Sequence, residues 1–149
     1  MASTCPLRIH LELNSAYEML DLAQTLTEGL CTELGFDEDS VHWVGVSVRE
    51  SVANAVLHGN RVDPTRLVFV DLHGTRTDGA AIAVTVRDQG EGFDPSTLPD
   101  PLAPENLLKG SGRGIFLIRS FMDEMVLERS PLGGMEMRMS KRAPSAPDA

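Results

Sequence analysis

Cysteine, aromatic residues and positive charge are all scarce in this sequence of 149 residues. Its two cysteines, Cys5 and Cys31, lie far apart and form no metal-ligand spacing, which argues against a disulfide framework and a structural zinc site. Aromatic residues make up 5% of the chain, so aliphatic side chains and methionine must pack the core. Thirteen basic residues stand against 22 acidic ones, and this net charge of −9 excludes a nucleic-acid partner, whose phosphates need a cationic surface.

Long apolar runs are also missing. No segment approaches the roughly 18 to 20 consecutive apolar residues that span a bilayer. The first ten residues lack the apolar region of a secretory signal. We therefore expect a cytoplasmic protein with no membrane contact. The length fits one domain, which we place at residues 7–141, with disordered tails at 1–6 and 142–149.

Hydrophobic periodicity predicts five strands and three helices in the order β-α-α-β-β-α-β-β. The strands are expected at residues 7–13, 67–72, 80–86, 126–129 and 135–139, and the helices at about 14–34, 37–58 and 115–125. Asn14 or Ser15 is expected to cap the first helix, and Gly35 to end it. Two hairpins beside three helices favour an α+β two-layer sandwich, with a mixed, mostly antiparallel sheet and the helices on one face.

The second predicted helix carries a polar stripe formed by Glu50, Asn54 and His58. These residues are each four apart, so they share one face of a helix with 3.6 residues per turn. An amide oxygen suits Mg²⁺, which takes its other ligands from water and phosphate. A carboxylate one turn away could accept a proton from an attacking hydroxyl. A solvated face of an amphipathic helix explains the same pattern, so the stripe alone does not establish a site.

A strand that runs into a glycine pair forms the second motif, Asp88-Gln-Gly90-Glu-Gly92-Phe93. A carboxylate accepts hydrogen bonds and donates none, which matches an exocyclic amine such as that of adenine. Glycines at these positions let the backbone approach a flat ligand closely. The simpler interpretation is a turn or a β-bulge.

The third motif is the glycine-rich segment Lys109-Gly-Ser-Gly-Arg-Gly-Ile115, at the start of the third predicted helix. Unpaired N–H groups at a helix N-terminus favour phosphate oxygens, and Lys109 and Arg113 add positive charge. The segment is neither a Walker A loop nor a dinucleotide-binding fingerprint. A flexible segment without a ligand is the alternative.

Together and in this order, the three motifs resemble the N, G1 and G2 boxes of the GHKL (Bergerat) ATP-binding fold of gyrases and histidine kinases. The phrases NAVLHGN, DQGEGFDP and GRGIFLIRSFMDEM are most similar to the bacterial anti-sigma-factor serine/threonine kinases of the RsbW and SpoIIAB type. The resemblance covers roughly residues 7–141.

The resemblance implies ATP and Mg²⁺ as ligands and gives each motif a role. Glu50 would be the catalytic base, Asn54 the Mg²⁺ ligand, and Asp88 the acceptor for the adenine amino group. A short ATP lid would span residues 95–111. The remaining residues expected to line the ATP site are His58, Gly59, Gly90, Gly92, Phe93, Lys109, Gly110, Ser111, Gly112, Arg113, Gly114 and Ile115.

The resemblance also implies protein partners: a small antagonist of the STAS type that is phosphorylated on serine, a sigma factor, and a second copy of the chain in a homodimer. Three features depart from the family. Gly110 stands where related kinases often place a basic residue before Ser-Gly. Met135 stands where the family commonly has a threonine that supports adenine recognition, which implies weaker adenine binding. No Lys or Arg lies between Arg8 and Arg49, a stretch that holds eight acids. A partner of this region should therefore present a basic or apolar surface. A solvated acidic face without a partner explains the same charges.

Two other functions fit the same motifs. One is a nucleotide-gated binding module, which holds ATP to expose a partner surface and transfers no phosphate. The other is a detached catalytic domain of a histidine kinase, which would need a separate receiver of the phosphate.

Overall fold

The computed structural model describes residues 5–92 and 110–144, with the backbone alone for residues 110–113. Its elements follow the predicted order. They are β1 (Leu7–Asn14), α1 (Glu18–Leu34), α2 (Glu38–Asn54), a π-helical turn (Ala55–Gly59), β2 (Leu67–Thr75), β3 (Ala81–Arg87), α3 (Gly110–Phe121), β4 (Glu124–Arg129) and β5 (Met135–Arg142).

The five strands form one sheet in the order β1-β2-β3-β5-β4. All four pairings are antiparallel, so the described strands include no parallel pair. β4 and β5 form a hairpin that adds to β3 through β5, which leaves β1 and β4 at the two edges. The expected α+β architecture is confirmed.

The helices cover one face of the sheet. Side chains alternate along each strand, and in β2 the inward residues Val68, Val70 and Leu72 are at most 1% exposed. α1 contacts β2, α2 contacts β3 and α3 contacts β4 on this side. The opposite face carries Phe69, with the Arg87 guanidinium 4.3 Å above the centre of its ring. Among the described residues, no helix has the length and apolar character needed to cross a bilayer.

α1 begins later than the sequence predicted. Its N-cap is Tyr17, which makes no side-chain capping bond, so the expected cap at Asn14 or Ser15 is wrong. Ser15 is buried, and its hydroxyl donates instead to the carbonyl oxygen of Arg66 at 2.7 Å. This long-range bond uses the side chain that would have capped the helix. The predicted end is right, because Gly35 has the left-handed φ of 93°.

α3 begins five residues before the predicted Ile115 and ends at Phe121. The residues after it leave the helix because the sheet offers them other partners. The N–H of Asp123 donates to the carbonyl of Ser140, and the Asp123 carboxylate accepts from the N–H of Arg142 at 2.8 Å. These bonds place the predicted last turn of the helix at the start of β4. At the other end, the glycine-rich segment from Gly110 falls inside the helix.

α2 and α3 pack side by side in opposite directions. Trp43, near the start of α2, stacks on Phe121 at the end of α3, with ring centres 3.9 Å apart and planes 6° from parallel. Gly114, near the start of α3, lies against Glu50 and Asn54 in the second half of α2. The N-terminal turns of α3 therefore face the polar stripe.

Asn60, which is fully buried, joins three separate segments. Its Nδ2 donates to Ser15 Oγ and to the carbonyl of Leu67, both at 2.9 Å. Its Oδ1 accepts from the N–H of Gln89 at 2.8 Å. Asn60 and Ser15 are buried, where an unpaired polar atom is costly, while the bonds to Leu67 and Gln89 are partly buried. Asn60 thus fixes the end of the second helix against the chain that follows β3.

We predict that Asn60→Ala lowers the free energy of unfolding by about 2–4 kcal/mol, since it removes three hydrogen bonds and the fully buried side chain that joins three segments. Urea denaturation measures this difference. Asn14→Ala is the matched control, because Asn14 is exposed at the end of β1 and the change there should stay within about 0.5 kcal/mol. Equal losses in the two variants would contradict the structural importance of Asn60.

Candidate functional site

α2 presents Glu50 and Asn54 as half-buried side chains one helical turn apart. Immediately after Asn54 the α-helix widens into the π-helical turn, which the N–H of Asn60 closes on the carbonyl of Ala55 at 2.8 Å. The wider turn displaces later residues from the regular four-residue stripe, so His58 is exposed while Gly59 meets Asp88. Such π turns occur often at functional sites. Nothing in the hydrophobic pattern of the sequence signalled this one.

Asp88 is buried directly after β3, in a socket made of backbone. Its Oδ1 accepts from the N–H groups of Gly90 at 2.9 Å and of Met135 at 3.1 Å. Two more glycines close the socket. A methyl group added at Gly59 would lie 2.1 Å from Asp88 Oδ2, and one at Gly134 would lie 2.2 Å from the Asp88 carbonyl oxygen. No real side chain tolerates such contacts, so both positions require glycine.

Gly134 was not among the residues expected at the site. It has a φ of 78°, it precedes Met135, and it reaches Asp88 only because β5 pairs with β3. The sequence signal for it is the Gly133-Gly134 pair, which by itself is typical of a hairpin turn. Sheet register, which motif spacing does not reveal, brings this turn to the Asp88 loop.

Burial raises the pKa of Asp88 above its usual value of 3.8. The amides of Gly90 and Met135, together with the positive charges of Arg66 and Arg87, act in the opposite direction without cancelling it. The ionised carboxylate accepts hydrogen bonds and cannot donate them. This socket therefore offers a ligand one buried acceptor at a fixed position.

The start of α3 lies beside the polar stripe. Gly114 is buried, and a methyl group added there would lie 3.0 Å from Glu50 Oε2 and 3.5 Å from Asn54 Nδ2. The first N–H groups of a helix lack partners within it, and the helix dipole favours an anion there. An acid, an amide and a helix N-terminus thus converge. Ile115, by contrast, is half-buried and packs against the core.

Several predicted residues lie outside the described structure. Phe93, Lys109 and the lid expected at 95–111 fall wholly or largely within the undescribed range of residues 93–109. Gly110 and Gly112 belong to the backbone of α3, as do Ser111 and Arg113, whose side chains are not described.

A cleft of about 360 Å³ opens between the π-helical turn and the Asp88 loop. Its walls come from the end of the second helix, the segment before β2, residues 91–92 and the start of β5. The lining residues are His58, Gly59, Asn60, Arg61, Asp63, Arg66, Glu91, Gly92 and Met135. Its volume lies within the roughly 300–1,000 Å³ of small-molecule sites. Gly59 and Met135 line the cleft and also contact Asp88, so the socket adjoins the cleft.

Comparison with known proteins assigns the family. The histidine kinase-like ATPase domain matches residues 13–141. The chain belongs to this family. It is 30% identical to the anti-sigma F factor of Geobacillus thermodenitrificans over 137 residues, which cover 89% of this chain and 90% of that protein. It is 28% identical to the serine-protein kinase RsbW of Staphylococcus aureus, with 89% of this chain and 85% of that protein covered.

A solved structure shows the same fold. The RsbU and RsbW domains of a Mycobacterium tuberculosis protein superpose with a TM-score of 0.65 at 18% identity. The match covers 91% of this chain and 32% of that longer one. The family resemblance seen in the three motifs is confirmed, and with it the ATP-binding class of fold.

The described residues fit a nucleotide bound with Mg²⁺. Among them, no group of three or more His, Cys, Asp or Glu side chains could enclose a metal ion. A cation here would therefore take most of its ligands from phosphate oxygens and water, which is the usual habit of Mg²⁺, and Asn54 would supply an amide oxygen. The buried acceptor Asp88 and the N-terminus of α3 lie to either side of Asn54 along the second helix.

We predict that Asp88→Asn weakens ATP binding about tenfold or more without destabilising the protein. The asparagine oxygen can still accept from Gly90 and Met135, but the side chain gains a donor that faces the ligand. Because the folded pKa of Asp88 is raised, its contribution to stability is full at low pH and is lost as the pH rises through that pKa. The variant should therefore be at least as stable as wild type at pH 7.

The pH dependence of affinity should have the opposite sign. As the pH falls through the raised pKa, Asp88 gains a proton and ATP affinity declines. Calorimetric titrations of wild type and Asp88→Asn at matched pH values isolate this effect, because protonation of ATP itself is common to both. An identical pH profile for the two proteins would refute the assignment of Asp88.

Proposed function

We propose that this protein is an ATP-dependent serine/threonine kinase of the anti-sigma-factor type, which phosphorylates an antagonist protein in a partner-switching pathway. Glu50 and Asn54 lie against Gly114 in the N-terminal turns of α3, and Gly59, about one helical turn after Asn54, lies against Asp88. This convergence is the observation that carries the proposal. Two relatives that span most of the chain support it, since one is named an anti-sigma F factor and the other a serine-protein kinase.

The base of ATP would lie at the Asp88 end of the site. Asp88 would accept a hydrogen bond from the adenine amino group. Gly90 and Gly92 would let the backbone approach the ring, with Phe93 nearby. The helical stripe alone would put His58 near the phosphates, but His58 and Gly59 both line the cleft beside Asp88, so we propose that they would contact the nucleotide at this end.

The triphosphate would extend toward α3. Asn54 would hold Mg²⁺, which neutralises phosphate charge when bound. The backbone from Gly110 to Gly114 would cradle the phosphate oxygens at the helix N-terminus, with Ser111, Lys109 and Arg113 as further contacts. Residues 95–111 would form the ATP lid.

Glu50 would act as the general base. As the serine oxygen of the antagonist forms its bond to the γ-phosphorus, its proton passes to the Glu50 carboxylate, and the bond from phosphorus to the ADP oxygen breaks. Phosphoryl transfer depends mainly on positioning and charge neutralisation. One base, one metal ion and a helix N-terminus therefore suffice.

The protein partners would be a small STAS-type antagonist and a sigma factor. A contact made through α1 would need a basic or apolar surface on the partner, because α1 carries acids such as Glu18, Asp21 and Glu33 and no basic residue. We propose further that residues 7–141 form a single ATP-binding domain, that it assembles as a homodimer and that it acts in the cytoplasm. Sedimentation of a monomer at micromolar concentration would contradict the dimer.

We predict that Glu50→Gln retains ATP binding but lowers phosphorylation of the cognate antagonist by about 100-fold or more, because the amide cannot take the serine proton. Transfer of radioactive phosphate measures the rate, and calorimetry measures the binding. Glu12→Gln, on the exposed face of β1, is the matched control and should keep full activity. If wild type binds ATP but phosphorylates no antagonist encoded beside it, the nucleotide-gated binding module replaces the kinase.

We predict that Asn54→Ala abolishes the gain in ATP affinity that Mg²⁺ provides, while affinity without the metal changes little. Titrations with and without Mg²⁺ give both values. Asn14→Ala should leave the metal-dependent gain intact. If wild type binds ATP equally well with and without Mg²⁺, Asn54 is not a metal ligand.

A further inference from the structure

The second helix ends in a strained turn. After the π-helical turn the chain bends back, and the N–H of Val62 donates to the carbonyl of Val56 at 2.8 Å. The two residues in the bend, Arg61 and Val62, have φ values of 53° and 56°. A side chain is crowded in this left-handed region, which is why helices usually end with glycine there.

Elsewhere the chain uses glycine or a tolerant residue for such geometry. Within the described ranges, the single other non-glycine residue with positive φ is Asp78, in the Asp-Gly turn between β2 and β3. Aspartate is tolerated in this conformation, whereas an arginine followed by a β-branched valine is not. Backbone strain of this kind persists where the surrounding structure enforces it, and it concentrates at ligand sites.

Arg61 belongs to the wall of the cleft beside Asp88. The other charged groups of this wall are partly engaged. The Asp63 carboxylate accepts from the N–H and hydroxyl of Thr65 at 2.9 Å and 2.7 Å, and lies 3.7 Å from Arg66 Nε. Within residues 5–92 and 110–144, Arg61 forms no ion pair with a carboxylate. Its guanidinium carries only donors and keeps its charge at every relevant pH.

We propose that Arg61 is a specificity residue that contacts the base of the bound nucleotide and donates hydrogen bonds to acceptor atoms of the purine ring. The inference rests on the proposed ATP site. Gly59, two residues before Arg61, lies against the Asp88 carboxylate. Gly114, at the proposed phosphate end, lies against Glu50 and Asn54, which precede the π-helical turn, whereas Arg61 follows it. Arg61 is thus placed for the base rather than for the phosphates.

The two side chains have complementary hydrogen-bonding properties. Asp88 only accepts and Arg61 only donates. On the edge that carries N7, adenine presents its amino donor next to the acceptor N7, while guanine presents two acceptors, N7 and O6. One acceptor and one donor in the same cleft therefore favour adenine over guanine. The strained turn holds the donor in place at a cost in stability.

The test separates base from phosphate by comparing adenosine with ATP. In calorimetric titrations, Arg61→Ala should weaken adenosine and ATP by the same factor, about 5- to 20-fold, because the lost contact is common to both. Arg61→Gly should weaken both ligands equally and also raise the melting temperature of the free protein by about 3 °C, because glycine relieves the strain. Arg8→Ala, on an exposed position of β1, is the control and should change neither property.

Three results would overturn the proposal. Unchanged affinity of Arg61→Ala for both ligands would show that Arg61 does not contact the nucleotide. A loss of affinity for ATP without a loss for adenosine would show that Arg61 contacts the phosphates rather than the base. A melting temperature of the free Arg61→Gly protein no higher than that of wild type would show that the turn is not strained, which contradicts the inference. Failure of the proposed function is distinguishable, because wild type itself would then bind neither ligand.

Discussion

The site depends on one buried carboxylate that the backbone surrounds. Asp88 sits where β3 ends, and its position is fixed by two amide donors and by glycines at 59 and 134 that leave no room for a side chain. Burial raises the pKa of the group, so the protein maintains an acceptor where its charge is disfavoured. Such an arrangement lowers stability unless a ligand uses it. The amino group of adenine would supply such a ligand donor.

The second helix links this socket to the residues proposed for catalysis and Mg²⁺ binding. Glu50 and Asn54 lie on its regular part, and the π-helical turn after them directs Gly59 toward Asp88. Asn60 then fixes the end of the helix to the segments around β1, β2 and the Asp88 loop. The second helix therefore contacts both the Asp88 socket and the N-terminal turns of α3, which would suit a reaction that relies on positioning.

Much of this arrangement was predictable because it follows from local periodicity. The order of elements, the α+β class, the end of α1 at Gly35 and the family came from alternation, helical spacing and three motifs. What the sequence could not supply were contacts between distant segments. Ser15 bonds to Arg66 instead of capping α1, and Gly134 reaches Asp88 only through the register of β5 on β3. The π-helical turn left no mark in the hydrophobic pattern, so the position of His58 could not be derived from spacing.

The amide signals of Gly90 and Met135 provide the most direct test of the central claim, because both N–H groups donate to the carboxylate that would meet the base. In ¹⁵N-resolved NMR spectra, adding ATP with Mg²⁺ should shift these two signals and that of Gly59, and should leave Arg8 and His73 on the open face of the sheet unchanged. Saturating ATP that leaves Gly90, Met135 and Gly59 unmoved in a well-folded protein would contradict the account.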